Sequence, residues 1–156
     1  MSATARAWSL AAILCGVVVA ADQAVKSMIE ARITPGEVVE VLGPLSLTLA
    51  HNDGVAFGLA GGAGAGLVLV TAAALALIAY VFSRDPARSG MWVAVGLLAG
   101  GALGNLIDRL TAGEVTDYID VGSWPAFNLA DVAITCGVFL LVLLYLRDAE
   151  VGADDG

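Results

Sequence analysis

Three aspartates lie within the stretch 115–131, V-T-D-Y-I-D-V-G-S-W-P-A-F-N-L-A-D. Asp131 stands at the mouth of a long apolar run, 132–146, where an ionised side chain is costly. Asp117 or Asp120 could fold back against it across a turn that contains glycine and proline. Two carboxyl groups held together in a poorly hydrated place cannot both ionise easily, so one keeps its proton. Aspartic peptidases use such a pair to activate water. The alternative is one helix-capping acid and two solvated loop acids.

A second polar pair comes from D-Q-A-V-K, in which Asp22 and Lys26 are four residues apart. On a helix this spacing places both side chains on one face, with the acid first. They could form an ion pair at a helix end, or they could support chemistry directly. Lys26 is the only lysine and is followed by Ser27, which also permits a serine–lysine peptidase, although adjacent residues on a helix point in different directions.

Three more motifs carry amides and charges at the ends of apolar runs. H-N-D-G-V-A-F-G, 51–58, follows a predicted strand, and its Asn52 and Gly54 indicate a turn near the membrane surface. His51 has no acid or nucleophile at a suitable spacing, so we interpret it as a loop residue.

G-N-L-I-D-R, 104–109, brings Asn105 and Arg109 to one helix face, with Asp108 three residues after Asn105. Arg109 could extend toward lipid headgroups, or it could bind a carbonyl or a carboxylate. F-N-L-A-D, 127–131, repeats the three-residue spacing with Asn128 and Asp131, which could equally be a helix N-cap and a first-turn acid.

Composition assigns the chain to the integral membrane proteins. Of its 156 residues 59% are hydrophobic and only 14% are charged, whereas soluble domains carry roughly 25% charged residues. This length indicates one domain, and seven scattered basic residues give no nucleic-acid patch. A single histidine excludes a two-histidine zinc motif, and we predict neither metal nor cofactor. Cys15 and Cys136 lie in apolar runs, which favours packing roles over a disulfide.

Apolar runs long enough to cross a bilayer predict an all-α membrane protein with four spanning helices. We expect the spans at 7–29, 63–82, 91–107 and 127–146. The alternative for the first run is a cleaved signal peptide, but its helical pattern continues through Val25 and Ile29. Residues 34–56 predict a small extracytoplasmic β element of two short strands around Gly43-Pro44. The acidic tail, 148–156, is predicted to be disordered.

Four spans place both termini on one side of the membrane. Arg6, Arg84, Arg88 and Arg147 fall on that side, and the short loop with Arg84 and Arg88 favours cytoplasmic termini. The β element and the aspartate stretch then share the external face.

Taken together, the motifs resemble the lipoprotein signal peptidases, or signal peptidase II, of bacterial inner membranes. The matching segments follow the family's order over nearly the whole chain: D-Q-A-V-K at 22–26, N-D-G-V-A-F-G at 52–58, G-N-L-I-D-R at 104–109, V-T-D-Y-I at 115–119 and F-N-L-A-D-V-A-I at 127–134. The resemblance selects Asp117 with Asp131 as the catalytic pair and leaves Asp120 out, a choice that the residues alone leave open. Thr116 and Tyr118 depart from the more apolar residues usual beside the first aspartate.

The resemblance implies a metal-independent aspartic endopeptidase that cleaves prolipoproteins before a diacylglyceryl-modified cysteine. Asp22 and Lys26 would support a site lined by six residues, Asn52, Gly54, Asn105, Asp108, Arg109 and Asn128. The implied partners are prolipoprotein substrates and membrane lipids, and we expect a monomer in the inner membrane with its site near the extracytoplasmic face. The β element and the glycine-rich segment after it could serve as cradle and lid. Two other classes remain open, a proton channel or transporter and a structural membrane subunit.

Overall fold

The computed structural model describes residues 1–53 and 63–154 of the chain. Its elements are α1 (Ala3–Glu30), β1 (Val38–Leu42), β2 (Leu45–Asn52), α2 (Ala63–Arg84), α3 (Met91–Thr111), β3 (Val115–Asp120) and α4 (Leu129–Asp154). All four helices are long and apolar enough to cross a membrane. The predicted class, four spanning helices with a small β element between the first two, is therefore confirmed.

The central helix of the bundle is α3. In its membrane-spanning window 61% of the residues are buried, against 17% or less in the other three helices, so α3 is covered by protein where the others face lipid. Its glycines permit close packing, as is common between membrane helices. A Cβ on Gly104 would lie 2.7 Å from Asp22 Oδ2 on α1, and one on Gly101 would overlap the Ala130 carbonyl of α4.

The sheet has three antiparallel strands in the order β1-β2-β3. The hairpin between β1 and β2 turns at Gly43-Pro44 as predicted. The third strand was not predicted, because 115–120 was interpreted only as an acid-bearing stretch before a turn. Its β-branched and aromatic residues suit a strand, and it pairs with β2 so that Asp117 stands opposite Ala50. Tyr118 packs beneath the sheet against Ile29 and Leu49.

Two predictions about irregular segments meet different outcomes. The acidic tail predicted to be disordered, 148–156, is helical as far as Asp154, where α4 ends. The prediction is wrong for that part because the segment contains no proline, and Ala149 and Glu150 favour helix; 155–156 lie outside the described residues. The predicted lid segment and Gly54 fall largely in 54–62, which also lies outside the described residues.

The two ends of the bundle differ in character. At one end the loop between α2 and α3 is fixed to α4, because Arg88 Nη2 donates to the Leu144 carbonyl at 2.7 Å. Trp8 of α1 packs against Phe82 of α2 nearby, with ring centroids 4.5 Å apart. The start of α1 and the end of α4 lie at this end, and the sheet lies at the other.

Candidate active site

Asn128 joins the two aspartates that the sequence selected. Its side-chain Nδ2 donates to Asp117 Oδ1 at 2.7 Å, and its backbone N–H donates to Asp131 Oδ2 at 3.2 Å. Asn128 is fully buried and Asp117 is only 3% exposed. β3 and the start of α4 thus bring the two carboxyl groups to either side of a single amide residue.

Asp131 also takes part in the start of α4. Asn128 Oδ1 accepts from the Asp131 N–H at 3.0 Å while Asp131 Oδ2 accepts from the Asn128 N–H, a reciprocal arrangement of the capping-box type. The helix-cap interpretation of this pair therefore holds together with its proximity to Asp117. The second oxygen of Asp131, Oδ1, accepts from Asn105 Nδ2 at 2.8 Å.

Asn52, at the end of β2, completes the surroundings of Asp117. Its Nδ2 donates to Asp117 Oδ2 at 3.0 Å. Both oxygens of Asp117 therefore accept from an amide. Burial raises the pKa of Asp117, the bonds from Asn52 and Asn128 oppose that rise, and the charge of Asp131 adds to it. The site holds a carboxyl group that favours its protonated form more than a solvated aspartate does.

Lys26 lies at the centre of a buried polar network behind the two aspartates. Its Nζ is 2.8 Å from Asp22 Oδ2, 2.6 Å from Asp108 Oδ2 and 3.1 Å from Asn105 Oδ1. The ion pair predicted within α1 is thus shared with α3. Because Asn105 Oδ1 accepts from Lys26 and also from Asn128 Nδ2 at 3.1 Å, the amide nitrogen of Asn105 faces Asp131.

Two residues of the network were not predicted, although each lies inside a quoted motif. Gln23 Nε2 donates to Asp108 Oδ1 at 2.8 Å, which holds α1 against α3. Tyr118 OH accepts from the Leu129 N–H at 3.2 Å and so helps to fix the start of α4. Burial raises the pKa of the Tyr118 phenol to about 12, so this hydroxyl stays neutral. Their positions within D-Q-A-V-K and V-T-D-Y-I were the available signal.

Other candidate residues lie apart from the pair. Asp120 Oδ1 accepts from the Gly122 N–H at 2.7 Å, which closes the turn after β3. His51 is an exposed residue of β2, with Nδ1 3.9 Å from Glu114 Oε1, and is not in a loop as interpreted. Arg109 Nη1 donates to the Asn105 carbonyl at 3.4 Å, and within the described residues neither aspartate accepts from it. Ser27 is exposed while Lys26 is buried, so no serine–lysine pair forms.

An apolar groove opens beside Asp131 along the outer face of α4. It has a volume of about 330 Å³ and is lined by Trp124, Phe127, Asp131, Val132, Thr135 and Cys136. A carboxyl group at the head of an apolar groove suits a ligand with one polar and one hydrocarbon part. Among the described residues, no group of three or more histidine, cysteine or acidic side chains could hold a metal ion.

Comparison with known proteins places this arrangement in a family. The family model described as "Signal peptidase (SPase) II" matches residues 14–147. The chain belongs to the signal peptidase II family. The chain is 39% identical to the lipoprotein signal peptidase of Dehalococcoides mccartyi, over 90% of this chain and 89% of the relative. It is 44% identical to that of Moorella thermoacetica, over 83% and 87%.

A solved structure agrees with the signal peptidase II assignment. A bacterial membrane enzyme determined by the in meso method at 1.9 Å resolution superposes with a TM-score of 0.83. It is 35% identical in sequence, and the match covers 88% of this chain and 93% of that one. The resemblance stated from the motifs is thereby confirmed, and the chain is a multi-pass membrane peptidase of this family.

Proposed function

We propose that this signal peptidase II removes the signal peptide from lipid-modified prolipoproteins by cleaving immediately before the diacylglyceryl-cysteine. Its nucleophile would be a water activated by Asp117 and Asp131. The observation that carries the proposal is the contact of one buried amide residue, Asn128, with both carboxyl groups. The relatives' name supplies the substrate class, and the two-carboxyl geometry supplies the reaction type.

In this mechanism one aspartate is ionised and takes a proton from the water, and the resulting hydroxide attacks the scissile carbonyl carbon. The other aspartate donates its proton to the carbonyl oxygen. Proton transfer to the leaving nitrogen then breaks the C–N bond and frees the amino group of the lipidated cysteine. Because burial raises the pKa of Asp117, we assign the starting proton to Asp117 and the role of base to Asp131.

Supporting residues hold the pair in position. Asn52 and Asn128 fix Asp117, while Asn105, held by Lys26, fixes Asp131. Side-chain amides near the pair could also stabilise negative charge on the carbonyl oxygen in the transition state. Arg109 would act on a substrate carbonyl if it acts at all, since its described hydrogen bond is to the backbone. Gly54 stays a predicted site residue.

The substrate's hydrocarbon is proposed to lie in the groove beside Asp131, which continues into the lipid-facing surface of α4. The peptide would then cross the aspartates where the sheet covers the bundle. We place the protein in the bacterial inner membrane as a monomer with cytoplasmic termini, because Arg84 and Arg88 mark the short loop at the end opposite the sheet. The site would face the extracytoplasmic side.

The proposal is tested by Asp117→Asn and Asp131→Asn in a prolipoprotein-processing assay with purified protein. Each change removes an acid–base group and should lower the cleavage rate by roughly 10²–10⁴-fold. Asp120→Asn is the matched control, because Asp120 lies on the same strand but only closes a turn, and it should process at the wild-type rate. Wild-type cleavage by either Asp117→Asn or Asp131→Asn would refute the mechanism.

A further inference from the structure

The end of the bundle opposite the aspartates carries a second apolar groove, between α3 and α4. Its volume is about 550 Å³, and it lies beside the loop that joins α2 to α3. The residues that define it are Gly90, Val93, Leu140, Leu143, Leu144 and Arg147. All but Arg147 are apolar, so the groove presents hydrocarbon along its length and a guanidinium at one end.

The groove is built into the fold by contacts across its floor. A Cβ on Gly90 would lie 3.3 Å from Leu144 Cδ2, and the φ of +81° at Gly90 disfavours any other residue. Arg88 donates to the Leu144 carbonyl at 2.7 Å, and its guanidinium carbon is 4.3 Å from the centre of the Tyr145 ring. The loop is therefore attached to α4, and the shape of the groove follows from fixed backbone.

Positive charge gathers around this groove. Arg147 at its mouth is exposed, and Arg6 and Arg88 line an adjoining groove on the other side of Gly90. Asp85 is the only acid of the intervening loop, and the acids of α4 begin at Asp148, further along the helix than the groove. The field at the mouth thus favours an anion although the whole chain has a net charge of −8.

We propose that this groove binds one anionic glycerophospholipid, with an acyl chain against the leucines of α4 and the phosphate at Arg147. The pairing of an apolar channel with a cation at membrane-surface depth matches the two parts of such a lipid. A basic residue near the surface also strengthens attachment of anionic lipids. This inference does not depend on the peptidase mechanism, because the groove lies at the opposite end from both aspartates.

The test is native mass spectrometry of the delipidated full-length protein titrated with phosphatidylglycerol and, separately, with phosphatidylcholine. The wild type should bind a first phosphatidylglycerol more tightly than phosphatidylcholine. Arg147→Gln should weaken that binding about fivefold, the effect of one surface cation on an anionic lipid, and Arg147→Lys should retain it. Arg32→Gln, which removes an exposed arginine at the other end, is the matched control and should change nothing.

A second variant tests the apolar part. Leu143→Trp would fill the groove and should weaken the first phosphatidylglycerol at least as much as Arg147→Gln does. Equal affinity for both lipids, an equal effect of Arg32→Gln, or unchanged binding by Leu143→Trp would each overturn the proposal. A wild-type dimer in detergent that Leu143→Trp dissociates would also overturn it, since the groove would then hold a second copy of the chain.

Discussion

Removal of the Lys26 ammonium is the most informative perturbation of this fold. Lys26 is 3% exposed and touches Asp22, which is fully buried, and Asp108, which is 8% exposed. Lys26→Met would leave two carboxyl groups facing each other with no cation between them. Loss of one partner from a buried ion pair costs about 3–5 kcal/mol. Whole domains are stable by only about 5–15 kcal/mol, so we expect a large loss of unfolding free energy.

A compensated variant separates charge from packing. In the triple variant Lys26→Met/Asp22→Asn/Asp108→Asn no charge remains in the network, and each asparagine keeps an oxygen that can accept from Ala130 N–H or from Gln23. A buried ion pair replaced by neutral groups is often close to neutral in stability. The remaining cost is the lost hydrogen bonds, at about 1 kcal/mol each. The triple variant should therefore be more stable than Lys26→Met by about 1–3 kcal/mol.

Unfolding free energies in mixed detergent micelles, followed by far-ultraviolet circular dichroism, provide the measurement. Arg32→Met is the control, because it removes an exposed cation from the same end of the bundle and should shift stability little. Prolipoprotein processing gives a second readout. Since the triple variant lacks the Lys26 bond to Asn105 Oδ1, its activity should recover less than its stability. The reasoning fails if Lys26→Met is as stable as the wild type, or if the triple variant is no more stable than Lys26→Met.

Two further predictions concern packing and pH. Gly104→Ala should destabilise the protein by about 1–3 kcal/mol, because the added Cβ would lie 2.7 Å from Asp22 Oδ2; Gly16→Ala on α1, with open space around its Cβ, should instead be neutral or slightly stabilising, and equal melting shifts would contradict the packing argument. The folded state raises the pKa of Asp117 through burial and the charge of Asp131, so it binds a proton more tightly than the unfolded chain does, and the contribution of Asp117 to stability should fall as pH rises from about 4 through the raised pKa. Unfolding measured against pH for the wild type and Asp117→Asn should therefore show a difference that grows in favour of the variant as pH rises, and a pH-independent difference would contradict the raised pKa.

Local sequence patterns predicted the helices well, because apolar length alone identifies membrane spans. The choice between Asp117 and Asp120 was beyond them. The two aspartates are three residues apart on a strand, so they point to opposite faces. Only the pairing of β3 with β2, which sets Asp117 opposite Ala50, decides which one faces Asn128. That pairing joins segments far apart in the chain, and no local pattern encodes it.

The polar network shows the same limit. The spacing of Asp22 and Lys26 predicted their ion pair, but it gave no sign that Asp108 of α3 would share the ammonium. The N-x-x-D spacing at Asn128 and Asp131 predicted a helix cap, and the cap is present. It did not reveal that Asn128 would also donate to Asp117. One residue serves both purposes because α4 begins where β3 ends its approach to the bundle.

The charge balance of this region bears on how the catalytic pair could hold a proton. Lys26 is the one cation that hydrogen-bonds or ion-pairs with the network among the described residues, whereas four carboxyl groups belong to it: Asp22, Asp108, Asp117 and Asp131. Asp22 and Asp108 contact the ammonium directly, and Asn105 stands between Lys26 and Asp131. With the ammonium already shared by two acids, full ionisation of Asp117 and Asp131 would leave excess negative charge in a buried place. A proton retained by the pair relieves it, and that proton is the one the proposed mechanism needs.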